Sequence, residues 1–501
     1  MQHFFQNKTV NIFKNLFLIL SLCVHFSAYS QLTTSKTVTI PINLAESDAF
    51  NMISYEENGM VLMNAKTNNY GRDLVMFFTG FDQNLNQKWT SYLELGGIYE
   101  LVNYFPTKDG YLYCLYKEES SSKIIISTLN IATGDYVVTE TQILTPMKIE
   151  TFGVLKNKIV LSGMVNDRPV IELLNLFSLT GKVLPEIHAN NLKISNIELN
   201  QEEGLIYILV KNTRTCELTF KTYDYEGKAI SSKDLGDRNH IPLSGKLVKL
   251  LNGEYMIAGN FADNCSDYSV GIYTYKLFDD QEPTFYDFLS LKNYLNYLSD
   301  KKKERFERRI TKKTNKGKDF KIHQRIIIND PVASDDGMTL LAEVFIPEYK
   351  NNIPLGLPMG RNYRWQTNTY YTFNNFRYTH VLVLHFNRTG DLIWDNSVDL
   401  NDFQSLTLDT KVQLTPVGSG YAIAYPDMGK IKTASVGPNI KSVEQSVLDL
   451  KSEDRNILNT SHTELISWYS HTFLAYGIQT MKSYNGSAPK DVFFISKLTY
   501  Q

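Results

Sequence analysis

The feature that most constrains the fold is a module that recurs after the first thirty residues. It contains an apolar stretch, a strand led by glycine, a second strand, a polar turn with Gly, Asn or Asp, and a third strand. Its turn-centred part appears six times: LVMFFTGFDQNLNQKW from Leu74, KIIISTLNIATGDYVV from Lys123, VIELLNLFSLTGKV from Val170, LTFKTYDYEGKAIS from Leu218, SVGIYTYKLFDDQEPTF from Ser269 and HVLVLHFNRTGDLIW from His380. The first five copies start roughly 45 to 55 residues apart, which is the length of a four-stranded propeller blade.

Two weaker copies, at 421–451 and 472–500, bring the count to eight. Seven blades is the close alternative, because residues 400–470 are the least regular part of the chain. The last copy lacks its outer strand, and KTVTIPINL (36–44) is a spare strand before the first complete copy. We therefore predict an all-β fold, a seven- or eight-bladed β-propeller with eight favoured. The N-terminal strand would complete the last blade and so remove an exposed sheet edge.

The first thirty residues have the order of a secretory signal peptide. Lys8 and Lys14 precede an apolar run from Leu16 to Phe26, and small residues follow at the first and third places of Ala28-Tyr29-Ser30. The run is about half of the roughly 20 residues that a membrane span needs. We predict a signal peptide at 1–30, a propeller at 31–501, no transmembrane span, and a periplasmic or extracellular location. Acylation of Cys23 is the alternative, although Leu20-Ser21-Leu22 lacks the small residue that lipoprotein signals place before the cysteine.

Two copies of the turn resemble a known type of repeat. FNRTGDLIW (386–394) and, more loosely, FDQNLNQKW (81–89) resemble the outer-strand repeat of quinoprotein-type and tryptophan-aspartate-type propellers. The resemblance covers the repeat unit only. It implies that glycine supplies a left-handed turn residue, and that Trp89 and Trp394 pack between neighbouring blades. No residues outside the repeats match the cofactor or metal sites of quinoprotein enzymes, so we predict no cofactor.

The most unusual composition lies at about 289–325. Between Lys301 and Arg325 there are twelve Lys or Arg against three acidic residues. Leu291, Leu295, Leu298, Phe306 and Ile310 recur at helical spacing, which predicts an amphipathic helix inserted between blades five and six. One interpretation is a basic arm that binds an anionic partner, such as a membrane surface, an acidic polysaccharide or a protein. The other is a solvated helix packed on the rim. The candidate binding residues are Lys301, Lys302, Lys303, Arg305, Arg308 and Arg309.

A second insertion, at 347–379, falls inside blade six between its second and third strands. It is rich in aromatic residues and arginine, which recognition surfaces favour. The alternative is a long loop folded over the blade edge. The candidate binding residues are Arg361, Tyr363, Arg364, Trp365, Tyr370 and Tyr371. Because both insertions flank the same blade, we expect them to share one face.

The cysteines suggest one cross-link. Cys216 and Cys265 occupy similar places before the third strand of consecutive modules, and neighbouring blades lie side by side. A disulfide between them would suit an oxidising compartment, and two unpaired thiols are the alternative. Cys114 alternates with Leu112 and Tyr116 in a strand, which predicts a core position.

No pattern of catalytic or metal-binding residues stands out. His380 and His385 are five residues apart in a strand and so face opposite sides, which prevents joint metal ligation. The charge is nearly balanced, with 51 Lys and Arg against 53 Asp and Glu, which argues against nucleic acid as a partner. We expect a non-catalytic binding or scaffold module for a protein or glycan. The alternative is a propeller enzyme that acts on a glycan or lactone at the central channel, with residues from several blades.

Overall fold

The computed structural model describes residues 32–42, 49–68, 73–96, 99–237, 239–277, 282–352, 370–418, 420–438, 445–450, 456–482 and 488–500. Within this part of the chain, the strands form eight antiparallel sheets that follow one another in sequence, and seven of them have four strands. The eight sheets are the blades of a β-propeller, so the expectation of eight blades rather than seven is confirmed. The predicted signal peptide at 1–30 lies outside the described residues.

The chain begins its described course with β1 (Leu32–Pro41), the outer strand of the last blade. Blades 1 to 4 follow in order, each running from its inner to its outer strand. Their strands are β2 (Ala49–Ser54), β3 (Met60–Asn68), β4 (Asp73–Phe81) and β5 (Gln87–Leu95); β6 (Tyr99–Pro106), β7 (Tyr111–Glu118), β8 (Lys123–Asn130) and β9 (Tyr136–Gln142); β10 (Lys148–Leu155), β11 (Lys158–Val165), β12 (Arg168–Asn175) and β13 (Gly181–Val183); and β14 (Leu192–Asn200), β15 (Leu205–Asn212), β16 (Leu218–Asp224) and β17 (Ala229–Asp234).

Blades 5 to 8 complete the ring, and blade 6 has one additional short strand. Their strands are β18 (Ile241–Lys249), β19 (Tyr255–Ala262), β20 (Gly271–Lys276) and β21 (Thr284–Asp287); β22 (Arg325–Ile328), β23 (Val332–Ser334), β24 (Gly337–Asn352), β25 (Tyr370–Asn387) and β26 (Leu392–Ser405); β27 (Gln413–Val417), β28 (Gly420–Asp427), β29 (Lys430–Val436) and β30 (Gln445–Asp449); and β31 (Ile457–Ser467), β32 (Thr472–Met481) and β33 (Lys490–Tyr500).

The ring closes through the N-terminal strand, as predicted. β1 pairs antiparallel with β33 in a register that runs from Leu32 opposite Tyr500 to Pro41 opposite Val492. Blade 8 then holds blade 1 from the other side, because the indole nitrogen of Trp468 donates to the carbonyl oxygen of Gly59 over 3.2 Å. The closure gives the last blade its fourth strand, so β33 is not left as an unpaired edge.

The polar turns of the repeat connect neighbouring blades. Trp89, on the outer strand of blade 1, donates from its indole nitrogen to the carbonyl oxygen of Ile131 in the turn of blade 2, over 2.8 Å. Gly134 in that turn has a φ of +80°, and a Cβ there would lie 2.6 Å from the Trp89 ring. The same turn of blade 6 is held without a tryptophan, since Tyr286 donates to the carbonyl oxygen of Gly390 over 2.9 Å. The prediction that Trp89 packs between blades is confirmed.

Trp394 also lies at a blade boundary. Its ring is parallel to that of His385 in its own blade, with centroids 5.3 Å apart, and it is 6.2 Å from the ring of Tyr421 in blade 7. Two turns depart from the predicted glycine rule, and in FDQNLNQKW the left-handed residue is Leu85, with a φ of +56°. In SLTGKV the left-handed residue is Leu179, with a φ of +57°, whereas Gly181 lies against the carboxylate of Glu172. A glycine at 181 is therefore favoured because a side chain there would approach Glu172 too closely, and not because of its φ.

The hydrophobic core consists of layers between adjacent blades. Phe and Tyr side chains fill these layers, including the fully buried Phe78, Tyr223 and Phe386. Cys114 is also buried, as predicted, and belongs to the layer between blades 1 and 2. Burying aromatic rings between sheets is worth about 2 kcal/mol or more for each ring, so these layers hold the blades at fixed spacing.

The predicted helical insertion is shorter than expected. Among the described residues, one α-helix is present, α1 (Asp300–Thr314). Leu291 and Leu295 have helical spacing but lie outside α1, next to and within short 3₁₀ turns at Phe288–Ser290 and Tyr294–Tyr297. Their side chains belong to the core layer between blades 5 and 6, so their apolar pattern reflects burial and not helix periodicity.

Candidate functional site

Both insertions emerge on the same face of the ring. Successive strands of a blade are antiparallel, so the turns between second and third strands and the connections between blades all leave from one face. We call this the upper face. The connection from β21 to β22 and the adjoining ends of β24 and β25 therefore lie on it. The opposite, lower face carries the turns between first and second strands.

The connection at 288–324, which we call the basic segment, is anchored to the outer strand of blade 6. The carboxylate of Asp395 accepts hydrogen bonds from the backbone nitrogens of Lys292 (3.1 Å) and Asn293 (2.7 Å). Burial raises the pKa of Asp395, and these two bonds counteract part of that rise. A ring contact adds to the anchor, because Tyr297 stacks on His380 with centroids 3.6 Å apart. Burial lowers the pKa of His380 to about 3, so this ring is neutral near pH 7.

Helix α1 is made of strong helix formers and has ends that suit its dipole. Asp300 lies in the first turn and Lys312 and Lys313 in the last. Glu304 and Arg308 pair at 3.3 Å across one turn. The helix ends at Thr314, and Gly317, with a φ of +67°, then turns the chain away. These local features explain a helix at this point of an otherwise β chain.

Helix α1 contributes almost nothing to the core. None of its residues is buried, and Phe306 and Ile310 are half-buried on the side that faces the protein. Phe306 packs on Phe320 with ring centroids 5.9 Å apart. Lys303 donates to the side-chain oxygen of Asn296 over 2.9 Å, on the same side. The apolar surface of the helix is therefore already occupied by its own protein.

The charged side of α1 is exposed and largely unpaired. The helix has eight Lys or Arg against three acidic residues, a net charge of +5. Among the described residues, the helix cations that form neither an ion pair nor a ring contact and are exposed are Lys301, Lys302, Arg305, Arg309 and Lys312. Of the predicted binding residues, Lys303 is thus engaged with Asn296 and Arg308 with Glu304, and four remain free.

The second insertion is not a loop over the blade edge in the part that the structure describes. β24 and β25 extend beyond the rest of the blade as a β-hairpin, paired from Ile346 opposite Arg377 to Asn352 opposite Tyr370. We call residues 346–352 and 370–377 the arm. Of the predicted binding residues, Tyr370 and Tyr371 begin β25. Arg361, Tyr363, Arg364 and Trp365 lie outside the described residues.

The arm has two chemically different faces. On one face the aromatic rings continue a core layer outward, with Phe376 lying 5.8 Å from Phe345 and 4.7 Å from Phe373. Tyr349 and Phe373 at its outer end are exposed. On the other face Arg377 pairs with Glu348 at 2.6 Å and with Asp402 at 2.7 Å. These carboxylates raise the pKa of Arg377.

Two upper-face turns are joined by a disulfide bond. Cys216, before β16, and Cys265, before β20, are bonded through their sulfur atoms, with Cα atoms 5.7 Å apart. Blade 5's turn also contacts the end of the basic segment, since the backbone of Ser269 and Gln324 exchanges hydrogen bonds of 2.7 and 2.9 Å. Asp263 lies 3.7 Å from Lys321 and 3.6 Å from His323. Two blades and the segment are thus held together there.

Two groups of ionisable side chains lie on the inner strands or next to them. In blades 4 to 6, Lys246 pairs with Asp330 at 2.8 Å, and burial raises the pKa of nearby Glu198. In blades 7 and 8, the buried Lys411 pairs with Asp409 at 2.9 Å and Glu464 at 3.2 Å. Sequence reasoning missed these groups, because each comes from a separate blade.

The lower face has two adjoining clefts that sequence reasoning also missed. One, of about 310 Å³, is lined by residues of blades 2, 4 and 5, including Phe105, Glu198 and Tyr255. The other, of about 610 Å³, is lined by turns of blades 1 and 2, including Tyr55 and Tyr111. They share the turn from Pro106 to Lys108.

Among the described residues no group of three or more His, Cys, Asp or Glu side chains could hold a metal ion. In that same part of the chain, no helix has the length and apolar character to cross a membrane.

Comparisons with known proteins give structural likenesses of low score. No protein-family model matches the chain, and no curated protein matches it. A functionally unknown protein from Desulfotomaculum acetoxidans is 11% identical, with a TM-score of 0.37, over 76% of this chain and 94% of that one. The polysaccharide lyase Uly1 is 10% identical, with a TM-score of 0.37, over 78% and 88%. The β-propeller domain of the Trilobed protease from Pyrococcus furiosus is 10% identical, with a TM-score of 0.33, over 79% and 93%.

Proposed function

We propose that this chain is an exported, non-catalytic binding module that uses its upper face to hold a protein or glycan partner. The observation that carries the proposal is the group of exposed, unpaired cations on α1. The chain as a whole has a formal net charge of −2, so the positive charge is local and not a general property of the surface. Like charges on one helix repel each other, and an anionic partner would relieve that repulsion.

The construction of the helix supports a partner in solution more than insertion into a bilayer. Its half-buried residues, Phe306 and Ile310, face the protein, which leaves no free apolar side to enter lipid. The arm stands beside the segment on the same face. Its exposed Tyr349 and Phe373 offer rigid aromatic area next to polar side chains, as in protein and sugar recognition surfaces. The proposed export agrees with the bond between Cys216 and Cys265, since disulfides persist in oxidising compartments.

The test is binding to an immobilised polyanion, dextran sulfate, at two salt concentrations. The triple variant Lys301→Gln/Lys302→Gln/Arg305→Gln removes three unpaired cations. If each contributes about 0.5 kcal/mol, as exposed charge contacts commonly do, affinity at low salt falls about tenfold. The matched control is Lys108→Gln/Lys123→Gln/Lys228→Gln, which removes three exposed lysines away from the basic segment.

Three outcomes are informative. Loss of binding in the helix variant with retention in the control supports the proposal. Equal loss in both variants would mean that binding follows net charge and not this face. Binding by neither the wild-type chain nor any variant, at low salt, would overturn the use of the helix as a docking surface.

A second candidate is an enzyme that acts on a glycan or lactone at the channel. It is favoured by Glu198, whose raised pKa suits proton donation, close to the Lys246–Asp330 pair. The test is release of reducing ends from polygalacturonate and of acid from simple lactones. If Glu198 is the proton donor, Glu198→Gln lowers the rate at least about 100-fold, whereas the exposed Glu203→Gln does not. Absence of product with the wild-type chain would rule against this candidate.

A further inference from the structure

Three cations lie at the upper ends of their strands, on either side of blade 5 and apart from helix α1. Lys193 on β14 and Lys211 on β15 stand directly opposite each other in the pairing of these two strands. Arg325 begins β22, the inner strand of blade 6. Between them lies the turn of blade 5 with Asp267 and Tyr268. We call Lys193, Lys211 and Arg325 the mouth cluster.

The charges of the mouth cluster are poorly compensated within the protein. Like charges directly opposite on paired strands destabilise a sheet. Burial lowers the pKa of Lys211, and Lys193 lowers it further, while Asp267 acts in the opposite direction. None of the three cations forms an ion pair within the described residues. The acidic residue that counteracts this charge at Lys211 is Asp267.

Arg325 provides an independent sign of a missing partner. Its Nε is buried and has no hydrogen-bond acceptor, which is unusual because a buried N–H group left without one costs folding free energy. Its guanidinium carbon lies 4.8 Å from the centre of the Tyr268 ring. That ring is 44% exposed, so one aromatic surface stays open to solvent beside the guanidinium.

The turns around the mouth cluster are held in place. The Cys216–Cys265 bond joins the turns of blades 4 and 5, and the Ser269–Gln324 bonds join blade 5 to the chain just before Arg325. Such rigidity means that the cations do not need to be ordered when a ligand binds, which lowers the cost of binding.

The mouth cluster also adjoins the basic segment. Phe320, five residues before Arg325, packs against Phe306 of α1, and Lys313 lies 4.8 Å from the centre of its ring. The cations of the helix and those of the mouth cluster thus lie on the same face of the ring. A flexible anionic chain can reach both groups.

We infer that the mouth cluster binds the acidic group of a sugar unit in an anionic polysaccharide, with Tyr268 stacking on the sugar ring. A carboxylate or sulfate accepts charge-assisted bonds from the two lysines and from the guanidinium of Arg325. An exposed ring is a suitable surface for the apolar side of a pyranose. This inference rests on the proposed binding function and names its partner class. The helix would hold the following anionic units of the same polymer.

The experiment uses short ligands that can fill the mouth without covering the helix. Tetragalacturonate and a heparin-derived tetrasaccharide are titrated into the full chain by calorimetry. We expect Lys193→Gln/Lys211→Gln to weaken tetrasaccharide binding at least tenfold. Lys211→Arg, which keeps the charge, should recover most of the affinity. The helix variant Lys301→Gln/Lys302→Gln/Arg305→Gln should weaken it less than twofold, although it weakens dextran sulfate binding.

Tyr268→Leu tests the contact with the sugar ring separately from the contacts with the acidic group of the sugar. We expect at least a fivefold loss for the tetrasaccharides and no change for hexaglutamate, a peptide that carries only the charge. Near-ultraviolet circular dichroism confirms that each variant keeps the native packing. Unchanged tetrasaccharide binding in the double variant, or no binding by the wild-type chain at millimolar concentration, would overturn the inference. Hexaglutamate binding as tight as tetragalacturonate would replace the glycan with an acidic peptide. None of these outcomes depends on the helix variant, which tests the proposed function.

Discussion

The two insertions that flank blade 6 are built in opposite ways. The arm continues the strands of the blade, so its backbone hydrogen bonds and its row of aromatic rings extend those of the core. The basic segment leaves the sheet, and helix α1 touches the protein only through half-buried side chains. Its firm contacts are made before and after the helix, at Asp395 and at Gln324.

The difference shows how a propeller adds binding surface without disturbing its ring. An extended hairpin is rigid and derives its stability from the blade, which suits shape-specific contacts. Helix α1 is attached at both ends and leaves the packing of the core unchanged. It can therefore expose many like charges, which would destabilise paired strands. We therefore expect mutations in the arm to lower the stability of the protein most where the arm joins the blade. Mutations in the basic segment should instead change how the segment is attached to blade 6 and how it binds a partner.

The largest effect should come from the base of the arm. Tyr378 is fully buried, and its hydroxyl donates to the carbonyl oxygen of Asp409 over 2.7 Å. Tyr378→Ala should lower the free energy of unfolding by about 4 kcal/mol, because it leaves a cavity and an unfilled acceptor. The control, Tyr349→Ala at the exposed end, should cost under about 0.5 kcal/mol. Chemical denaturation measures both, and similar losses in the two variants would contradict the view that the arm grows out of the core.

The next effect is a pH dependence at the same blade. Burial raises the pKa of Glu343 in β24 to about 7, against the bonds that its carboxylate accepts from the backbone of Lys411 and Val412. Since the folded pKa exceeds the ordinary value of 4.5, its contribution to stability is fully present below pH 4.5 and is lost as pH rises through 7. The loss is at most about 3 kcal/mol.

Glu343→Gln should therefore flatten the dependence of unfolding free energy on pH between 5 and 8. Glu94→Gln, at an exposed position on blade 1, should leave the dependence as it is in the wild type. Denaturation midpoints at several pH values measure both variants. A wild-type slope that persists in Glu343→Gln would show that other groups cause it.

A smaller effect is expected at the anchor of the basic segment. Asp395→Ala leaves the backbone nitrogens of Lys292 and Asn293 without their acceptor, which costs about 2 kcal/mol. Because the segment opens locally, trypsin should cut within α1 at least about tenfold faster, while global stability changes less. Asp109→Ala, exposed on the lower face, is the control. Equal cleavage rates in the two variants would mean that this carboxylate does not hold the segment.

The smallest effect belongs to the polar face of the arm. Arg377 lies between Glu348 and Asp402, but all three side chains are partly exposed. A double-mutant cycle of Arg377→Gln and Glu348→Gln should give a coupling of about 0.5 kcal/mol that decreases with salt. A coupling above about 2 kcal/mol would mean that the arm is held by its charges as much as by its rings.

The ring was predictable from sequence because six of the eight blades repeat a related polar turn at a regular spacing. The closure was predictable because the last copy lacks an outer strand and a spare strand lies near Lys36. The bounds of the helix were not predictable, since Leu291 and Leu295 have helical spacing but pack on the core from two short turns. The backbone of these turns is bonded to Asp395 of blade 6. The mouth cluster was missed because Lys193, Lys211 and Arg325 come from separate stretches that lie on one face only in the folded ring.

The pairing of β1 with β33 has a consequence for how the chain folds. The side chain of Thr33 donates to the carbonyl oxygen of Thr499, a contact across 466 positions. Such a contact pays the largest loop-closure entropy in the molecule and forms only after the last strand has been synthesised. Until then β1 remains an unpaired edge strand and the final blade lacks its outer member. Seven blades can assemble in sequence as the chain lengthens, and the pairing of β1 with β33 then completes the eighth. We expect this step to be the slowest in folding and the one most exposed to aggregation.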